Sequence, residues 1–567
     1  MTQVDGEEES TIAQRPRYDK VECVDLDEDI LARLDRDDPG IAGLRISPEN
    51  WINGVGRILG ENKILQKLEI IADDGEDGIW LEEVFTGLSR NRNLESLSLW
   101  RMILRANPDD DYESDLVRNF HNLAPFFEYN CNLLSIELYE LDIAHVSHYL
   151  ASALAKCKDS RLESITLCEI KVNDKQMATI IRSLSGKQFL QDITITIDGF
   201  DGDHTCRELS KLLKSPSTKI KALQIDWDED VLRDPEDRIL TIAKGLMVNS
   251  SVKTLSLPLH HIQASSFQVW RAVSQVFSRP MSSIETLNLE SSVLGNDELT
   301  HLSDALTNNK TLKELNISHN EGEITLAGWR HLFKCLENDN FALQVLNISD
   351  CNITNDWVAS MAISLSSNTS LKELNMSDNE GLSYAGWITF LSILLLGERN
   401  CRSRCSLELI DLRNTGGEEG ISDMDWADDT MDSILWNALC NDRKGLEGIL
   451  ASNHTLHTFL RAGSWREEIC EFLELNAIED KDEVARLKAI KYHFSSCKEY
   501  GMAEENKMFA SLPDAVLPYA LEWIGRGSNR YGFSLMYSVC HCFPILVEVR
   551  EANEIPPHKR MKKEGLV

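Results

Sequence analysis

Leu312-Lys313-Glu314-Leu315-Asn316-Ile317-Ser318-His319-Asn320 is a phrase that the chain writes repeatedly. Two close copies follow it. Leu343, Leu346 and Ile348 lead to Cys351, and Leu371, Leu374 and Met376 lead to Asn379. Strand residues alternate between faces, so the second and third apolar positions point into a core and the residues around them point out. An Asn or Cys at the ninth position turns inward, where the strand ends and buried backbone groups need partners. First apolar positions in phase with this phrase are Ile41, Leu65, Leu94, Leu133, Leu162, Leu190, Ile220, Val252, Ile284, Leu312, Leu343, Leu371, Leu407 and, with a poorer match, Leu456. Most intervals run from 28 to 32 residues, which leaves room for a full helix between strands.

These residues resemble the leucine-rich repeats of the ribonuclease-inhibitor type. That resemblance implies an α/β solenoid, a horseshoe with parallel strands inside and helices outside. It also implies a preformed concave surface of the kind that binds other proteins. The run Leu517-Pro518-Tyr519-Ala520-Leu521-Glu522-Trp523-Ile524-Gly525-Arg526, with Ser534-Leu535-Met536-Tyr537, is similar to the tail of uncharacterised leucine-rich repeat proteins from diatoms, a likeness that carries no activity with it.

Reading outward along the chain, residues 1–20 are acidic and polar and are expected to be disordered. Residues 21–40 are expected to form an N-terminal helical cap, with Ile30, Leu31 and Leu34 on one face and the first strand near Ile41. The solenoid is expected over 41–463, interrupted by an acidic loop at about 414–432 that holds Asp423, Asp425, Asp428, Asp429 and Asp432. Beyond it come a C-terminal helical cap over 464–550 and a basic flexible tail over 551–567. Helices are expected at Ile143–Lys156, Asp174–Leu184, Ile239–Val248, Asp297–Asn308 and Asp356–Ser366.

The 567 residues include 58 Lys and Arg against 92 Asp and Glu, a net charge of −34. That balance argues against nonspecific binding to nucleic acid or anionic membrane and favours basic partners. The start of the chain has neither a basic region nor an apolar run of the secretory kind. No stretch of 18 apolar residues exists. The 14 cysteines have no framework spacing and are read as reduced thiols of an intracellular, cytoplasmic protein.

Signatures of chemistry are absent. There is no Walker A sequence, no His-Glu pair of a zinc protease and no dinucleotide fingerprint. Gly381-Leu382-Ser383-Tyr384-Ala385 approaches a nucleophile elbow, but Asn320-Glu321-Gly322 before Ala327-Gly328-Trp329 parallels Asn379-Glu380-Gly381 before Ala385-Gly386-Trp387. Ser383, Trp329 and Trp387 therefore read as parts of a repeated strand-to-helix turn. No catalytic residue, cofactor or metal site is expected.

The informative surface is the inner face. Its outward acidic residues are Glu69, Glu137, Asp192, Asp226, Glu290, Glu314, Glu373 and Asp411, with Lys67 and Arg413 among fewer basic ones. Just past the third apolar position, Ile71, Trp100 and Tyr139 fall on successive repeats and would form one row, since neighbouring strands lie about 4.8 Å apart. Two roles are open for them: an aromatic hot spot for a partner, or packing beneath the loop at Asn107. The pattern predicts a non-enzymatic scaffold for a basic protein partner. The alternative is a small-GTPase regulator resembling Ran GTPase-activating proteins, although no arginine or asparagine here matches such a motif. At the end, Lys559, Arg560, Lys562 and Lys563 after Pro556-Pro557 match a short nuclear-import pattern.

Overall fold

A computed structural model describes residues 21–488 apart from short segments, the longest being 102–114, 397–405, 416–423 and 441–451. The expected acidic tail, the regions 512–526 and 531–549 and the basic tail lie outside the described residues. The chain divides into two compact units, Met1–Asn352 and Ile353–Val567.

In the first unit, strand and helix alternate. The strands are β1 (Val24–Asp25), β2 (Gly43–Ile46), β3 (Lys67–Ile71), β4 (Ser96–Trp100), β5 (Ser135–Tyr139), β6 (Ser164–Cys168), β7 (Asp192–Ile197), β8 (Ala222–Trp227), β9 (Thr254–Ser256), β10 (Thr286–Asn288), β11 (Glu314–Asn316) and β12 (Val345–Asn347). The helices between them are α1 (Glu28–Leu34), α2 (Val55–Glu61), α3 (Ile79–Leu88), α4 (Asp115–Tyr129), α5 (Ser147–Lys156), α6 (Asp174–Ser183), α7 (His204–Lys214), α8 (Pro235–Leu246), α9 (Phe267–Ser278), α10 (Asn296–Leu306) and α11 (Leu326–Leu336). The second unit contains α12 (Asn355–Leu365), β13 (Glu373–Asn375), α13 (Tyr384–Leu396), β14 (Leu409–Asp411), α14 (Met424–Leu439), β15 (Thr458–Leu460) and α15 (Glu467–Asn476). Within each unit successive strands pair in parallel and in chain order. Every first-position residue from Ile41 to Leu456 is buried, which is why the repeat could be read from its leucines.

Several boundaries differ from the pattern. The sheet starts before Ile41, because β1 pairs Val24 with Leu44 and Asp25 with Arg45 ahead of the capping helix. The segment read as an acidic loop at 414–432 contains the start of α14 at Met424. Leu456 leads into a full repeat, with β15 paired on β14. The helix expected from Ile143 begins only at Ser147. From β9 onward each strand has three residues and starts before the second leucine, so Glu314, Val345 and Glu373 open their strands.

The ninth-position expectation holds in detail. Asn320 Nδ2 donates to the carbonyls of Leu289, Ile317 and Ser318, and its Oδ1 accepts from Leu294 N at 3.0 Å. Cys351 Sγ reaches Ile317 O at 3.1 Å. At the strand exits a residue in left-handed backbone recurs: Arg101, Glu140, Glu169, Ser291, His319 and Asp350 all have positive φ. A non-glycine residue there costs about 1 kcal/mol. The inter-strand bonds from Arg101 N to Tyr139 O and from Glu140 N to Cys168 O, each 3.0 Å, help to hold it.

A second ladder runs where each helix ends. Three residues before the first leucine stand Asn62, Asn91, Asn130, Asn249 and Asn309, all buried. Asn62, Asn91, Asn249 and Asn309 each donate Nδ2 to a carbonyl of the preceding repeat, respectively Leu34, Leu59, Leu213 and Phe277, whereas Asn130 donates to Leu94 O ahead of β4. In four of them Oδ1 also accepts from the first leucine or valine amide, as at Leu65, Leu94, Val252 and Leu312. The bonds to Leu34, Leu59, Leu213 and Phe277 reach helix-end carbonyls that have no partner inside the helix. Cations take the same place in other repeats. Lys187 Nζ donates to Leu154 O and Cys157 O, and Arg279 to Leu246, Met247 and Asn249. In the second unit Lys488 donates to Leu439 O and Asn453 O. Burial lowers the pKa of Lys187 and Arg279 and brings that of Lys488 down to about 7. The carbonyl end of a helix is the site that offsets such a cost best.

Helices α2 and α3 meet backbone to backbone. A Cβ added at Gly87 would overlap the Gly56 carbonyl, and one at Gly56 would overlap that of Glu83.

Candidate functional site

The face of the sheet turned away from the helices is defined by alternation. In β3, Leu68 and Ile70 are buried whereas Lys67, Glu69 and Ile71 are part-exposed. Register then aligns Ile71 with Trp100 and Trp100 with Tyr139, so the expected row exists. All three side chains are part-exposed. The Trp100 and Tyr139 rings stack with centroids 3.8 Å apart and an angle of 13° between planes. Offset or stacked aromatic pairs of this kind stabilise each other by about 0.5–1.5 kcal/mol beyond the area they bury. The pair is thus a preformed flat surface whose ordering cost is met before any partner arrives. The loop at Asn107 lies outside the described residues.

The carboxylates differ in partners and exposure. Glu69 accepts from Arg45 and Lys67, each at 3.0 Å. Burial raises its carboxyl, but those two cations outweigh it and the net direction is down. Its charge is therefore matched at the β2–β3 end. Glu137 accepts from Ser98 Oγ at 2.7 Å and is part-exposed beside the aromatic pair. Arg101 and Glu140 form an exposed ion pair at 3.6 Å past the strand ends, with Glu169 exposed on the next repeat. Asp192 and Asp226 are part-exposed on β7 and β8. Glu290, 43% exposed at its side chain, lies 3.8 Å from His319 Nε2, and His319 Nδ1 lies 2.9 Å from Asp350. Glu314 accepts from Thr286 at 3.1 Å. In the second unit Glu373 is part-exposed. Asp411, expected outward, is instead buried at 4% exposure, because Arg413 folds over it and donates at 2.7 Å.

The centre of this face is less acidic than its edges. Thr166, Thr194, Gln224, Ser256, Asn288, Asn316 and Asn347 occupy one register row of uncharged groups across β6–β12. Three of the asparagines have a local duty, since Asn288, Asn316 and Asn347 each accept from the amide two residues on. Among the described residues, no group of three or more His, Cys, Asp or Glu is placed to hold a metal ion. Ser383 donates its amide to Asn355 Oδ1 in the strand-to-helix turn, and Trp329 and Trp387 are buried at their helix starts. The tail residues Lys559, Arg560, Lys562 and Lys563 and the other candidates beyond 488 lie outside the described residues.

No family model matches the chain. Pig ribonuclease inhibitor is 28% identical over 230 residues, which is 41% of this chain and 47% of that protein. Mouse NACHT, LRR and PYD domains-containing protein 14 is 24% identical over 375 residues, 65% of this chain and 34% of that protein. Among solved structures, the yeast Rad7 and Elc1 complex matches at 14% identity with a TM-score of 0.40, covering 70% of this chain and 90% of that one. The chain spans about half the length of the curated inhibitors it matches. With the repeat phrase and parallel strands described above, the similarities to the inhibitors and to the mouse LRR-containing protein support a leucine-rich repeat chain of the ribonuclease-inhibitor type. A scaffold of that type fits a protein-interaction role. No described helix is long and apolar enough to cross a membrane.

Proposed function

We propose that this chain is a non-enzymatic interaction scaffold that seats a basic protein partner on the strand face turned away from the helices. The observation that carries the proposal is the part-exposed Ile71–Trp100–Tyr139 row, in which the Trp100 and Tyr139 rings stack on each other. Aromatic side chains held rigid in a polar frame make the largest contributions at protein interfaces. The frame here has the sign for a basic partner. Glu137, Glu140 and Glu169 flank the rings, and Asp192, Asp226, Glu290 and Glu314 continue the same sign along the sheet. A lysine or arginine of the partner gains both an aromatic flank and a carboxylate. The net charge of −34 adds a long-range pull that speeds encounter. The scaffold works in the cytoplasm, with the basic tail as a route to the nucleus.

The test is affinity capture on the full chain and on a folded W100A/Y139A double variant. Proteins retained by the first and lost by the second are expected to be basic. A set of retained proteins that does not change between the two chains refutes the placement on this row.

A further inference from the structure

Two thiols at the helix ends of consecutive repeats face each other. Cys131 lies two residues beyond α4, and Cys157 caps the end of α5. Their sulfurs are 3.9 Å apart. Both cysteines are reduced; Cys131 is part-exposed and Cys157 is buried. A disulfide needs about 2.05 Å between sulfurs, so side-chain rotation has to close roughly 1.9 Å.

The surroundings differ from those of the other repeats in a way that bears on chemistry. Where Asn62 and Asn91 cap neighbouring helix ends with an amide, the end of α5 carries the Cys157 thiol, and Lys187 supplies the cross-repeat bonds to Leu154 O and Cys157 O at 2.6 and 2.5 Å. Burial and the facing Cys131 push the Cys157 thiol up, whereas the Lys187 ammonium pulls the other way. At Cys157 the first two effects prevail, and its thiol lies above the ordinary cysteine value.

We propose that Cys131 and Cys157 form a reversible redox pair, a modification site that closes a disulfide between consecutive repeats in the presence of a peroxide. In the first step the accessible Cys131 thiolate attacks one peroxide oxygen. The O–O bond breaks, hydroxide leaves and takes a proton, and Cys131 becomes a sulfenic acid. In the second step Cys157 sulfur attacks Cys131 sulfur. The S–O bond breaks, the Cys157 proton goes to the departing oxygen, and water leaves. Two thiols and one hydrogen peroxide thus give one disulfide and two waters. A dithiol reverses the change by exchange. Cys131 starts the reaction because its sulfur is the one an oxidant reaches first. Cys157 resolves it because burial keeps peroxide away while its partner sulfur is next to it.

The experiment uses the full reduced chain, C131S and C157S, with circular dichroism confirming that each is folded. Each is treated with a stoichiometric amount of hydrogen peroxide, quenched by alkylation and mapped by non-reducing peptide mass spectrometry. The expected result for the native chain is a peptide joining Cys131 to Cys157, lighter by two hydrogens than its reduced parts and restored by dithiothreitol. The native chain also gains a higher thermal midpoint on oxidation. C157S is expected to stop at a Cys131 sulfenic acid that dimedone traps, and C131S to show no adduct at Cys157 on the same timescale. A native chain that accumulates dimedone adducts at Cys131 without the cross-link, or that cross-links only after it unfolds, overturns the proposal.

Discussion

Replacing Asn309 by Ala removes one rung of the amide ladder that joins consecutive repeats. Its Nδ2 donates to Phe277 O at 2.7 Å, and its Oδ1 accepts from Leu312 N at 2.7 Å and Thr311 N at 2.8 Å. Thr311 is part-exposed, so its amide gains water in exchange. Leu312 and Phe277 are buried, at 2% and 0% exposure, and their backbone groups do not. Each buried polar group left without a partner costs about 1–3 kcal/mol, so two of them imply a loss of about 2–4 kcal/mol after some local relaxation. In a solenoid such a loss falls on the interface between neighbours. Amide exchange along β11 is therefore expected to speed up by roughly 30-fold or more, because each 1.4 kcal/mol is a factor of ten. Hydrogen exchange read by mass spectrometry, with denaturant unfolding beside it, makes the measurement. An N309A chain within about 0.5 kcal/mol of the native one, with exchange in 311–317 unchanged, would show that the ladder is incidental.

Gly87→Ala places a Cβ against the Gly56 carbonyl, so α2 and α3 must part, and denaturant unfolding is expected to show a loss of about 1–3 kcal/mol. Lys488 has a folded pKa near 7 against an ordinary 10.5, so between these values the unfolded chain binds more protons and stability rises with pH. Unfolding followed from pH 7 to 10 should show a steeper rise in the native chain than in K488M, and equal slopes would mean that the ammonium is not held as described. Fusing residues 553–567 to a reporter too large to diffuse through nuclear pores is expected to move it into the nucleus, and a reporter that stays outside leaves the tail with an electrostatic role only.

The solenoid was legible because its cause is local. Each repeat buries its apolar positions at fixed offsets, and the ninth-position Asn320, Cys351 and Asn379 meet the same backbone need at the ends of three successive strands. The row of Ile71, Trp100 and Tyr139 was legible for the same reason, since register follows from repeat phase. What escaped depends on neighbours in space. β1 has only two residues and no leucine phrase, and it counts as a strand only because β2 pairs with it. Asp411 alternates outward like its counterparts, but a side chain two residues along covers it. Lys187 stands three residues before Leu190, in the position that Asn62, Asn91 and Asn130 take in their repeats. That shared offset was a signal available in the chain, hidden because lysines are usually solvated.

The most direct test of the scaffold is the equilibrium affinity of a captured partner for the full chain and for W100A/Y139A, each at low and at high salt. Charges exposed on the sheet face are screened over about 8 Å at physiological ionic strength, so affinity for the native chain is expected to fall as salt rises. The double variant is expected to bind more weakly at both salt levels, by about 2 kcal/mol or more, while keeping its circular dichroism. A partner that binds both chains equally, with an affinity indifferent to salt, would contradict an acidic face built around these two rings.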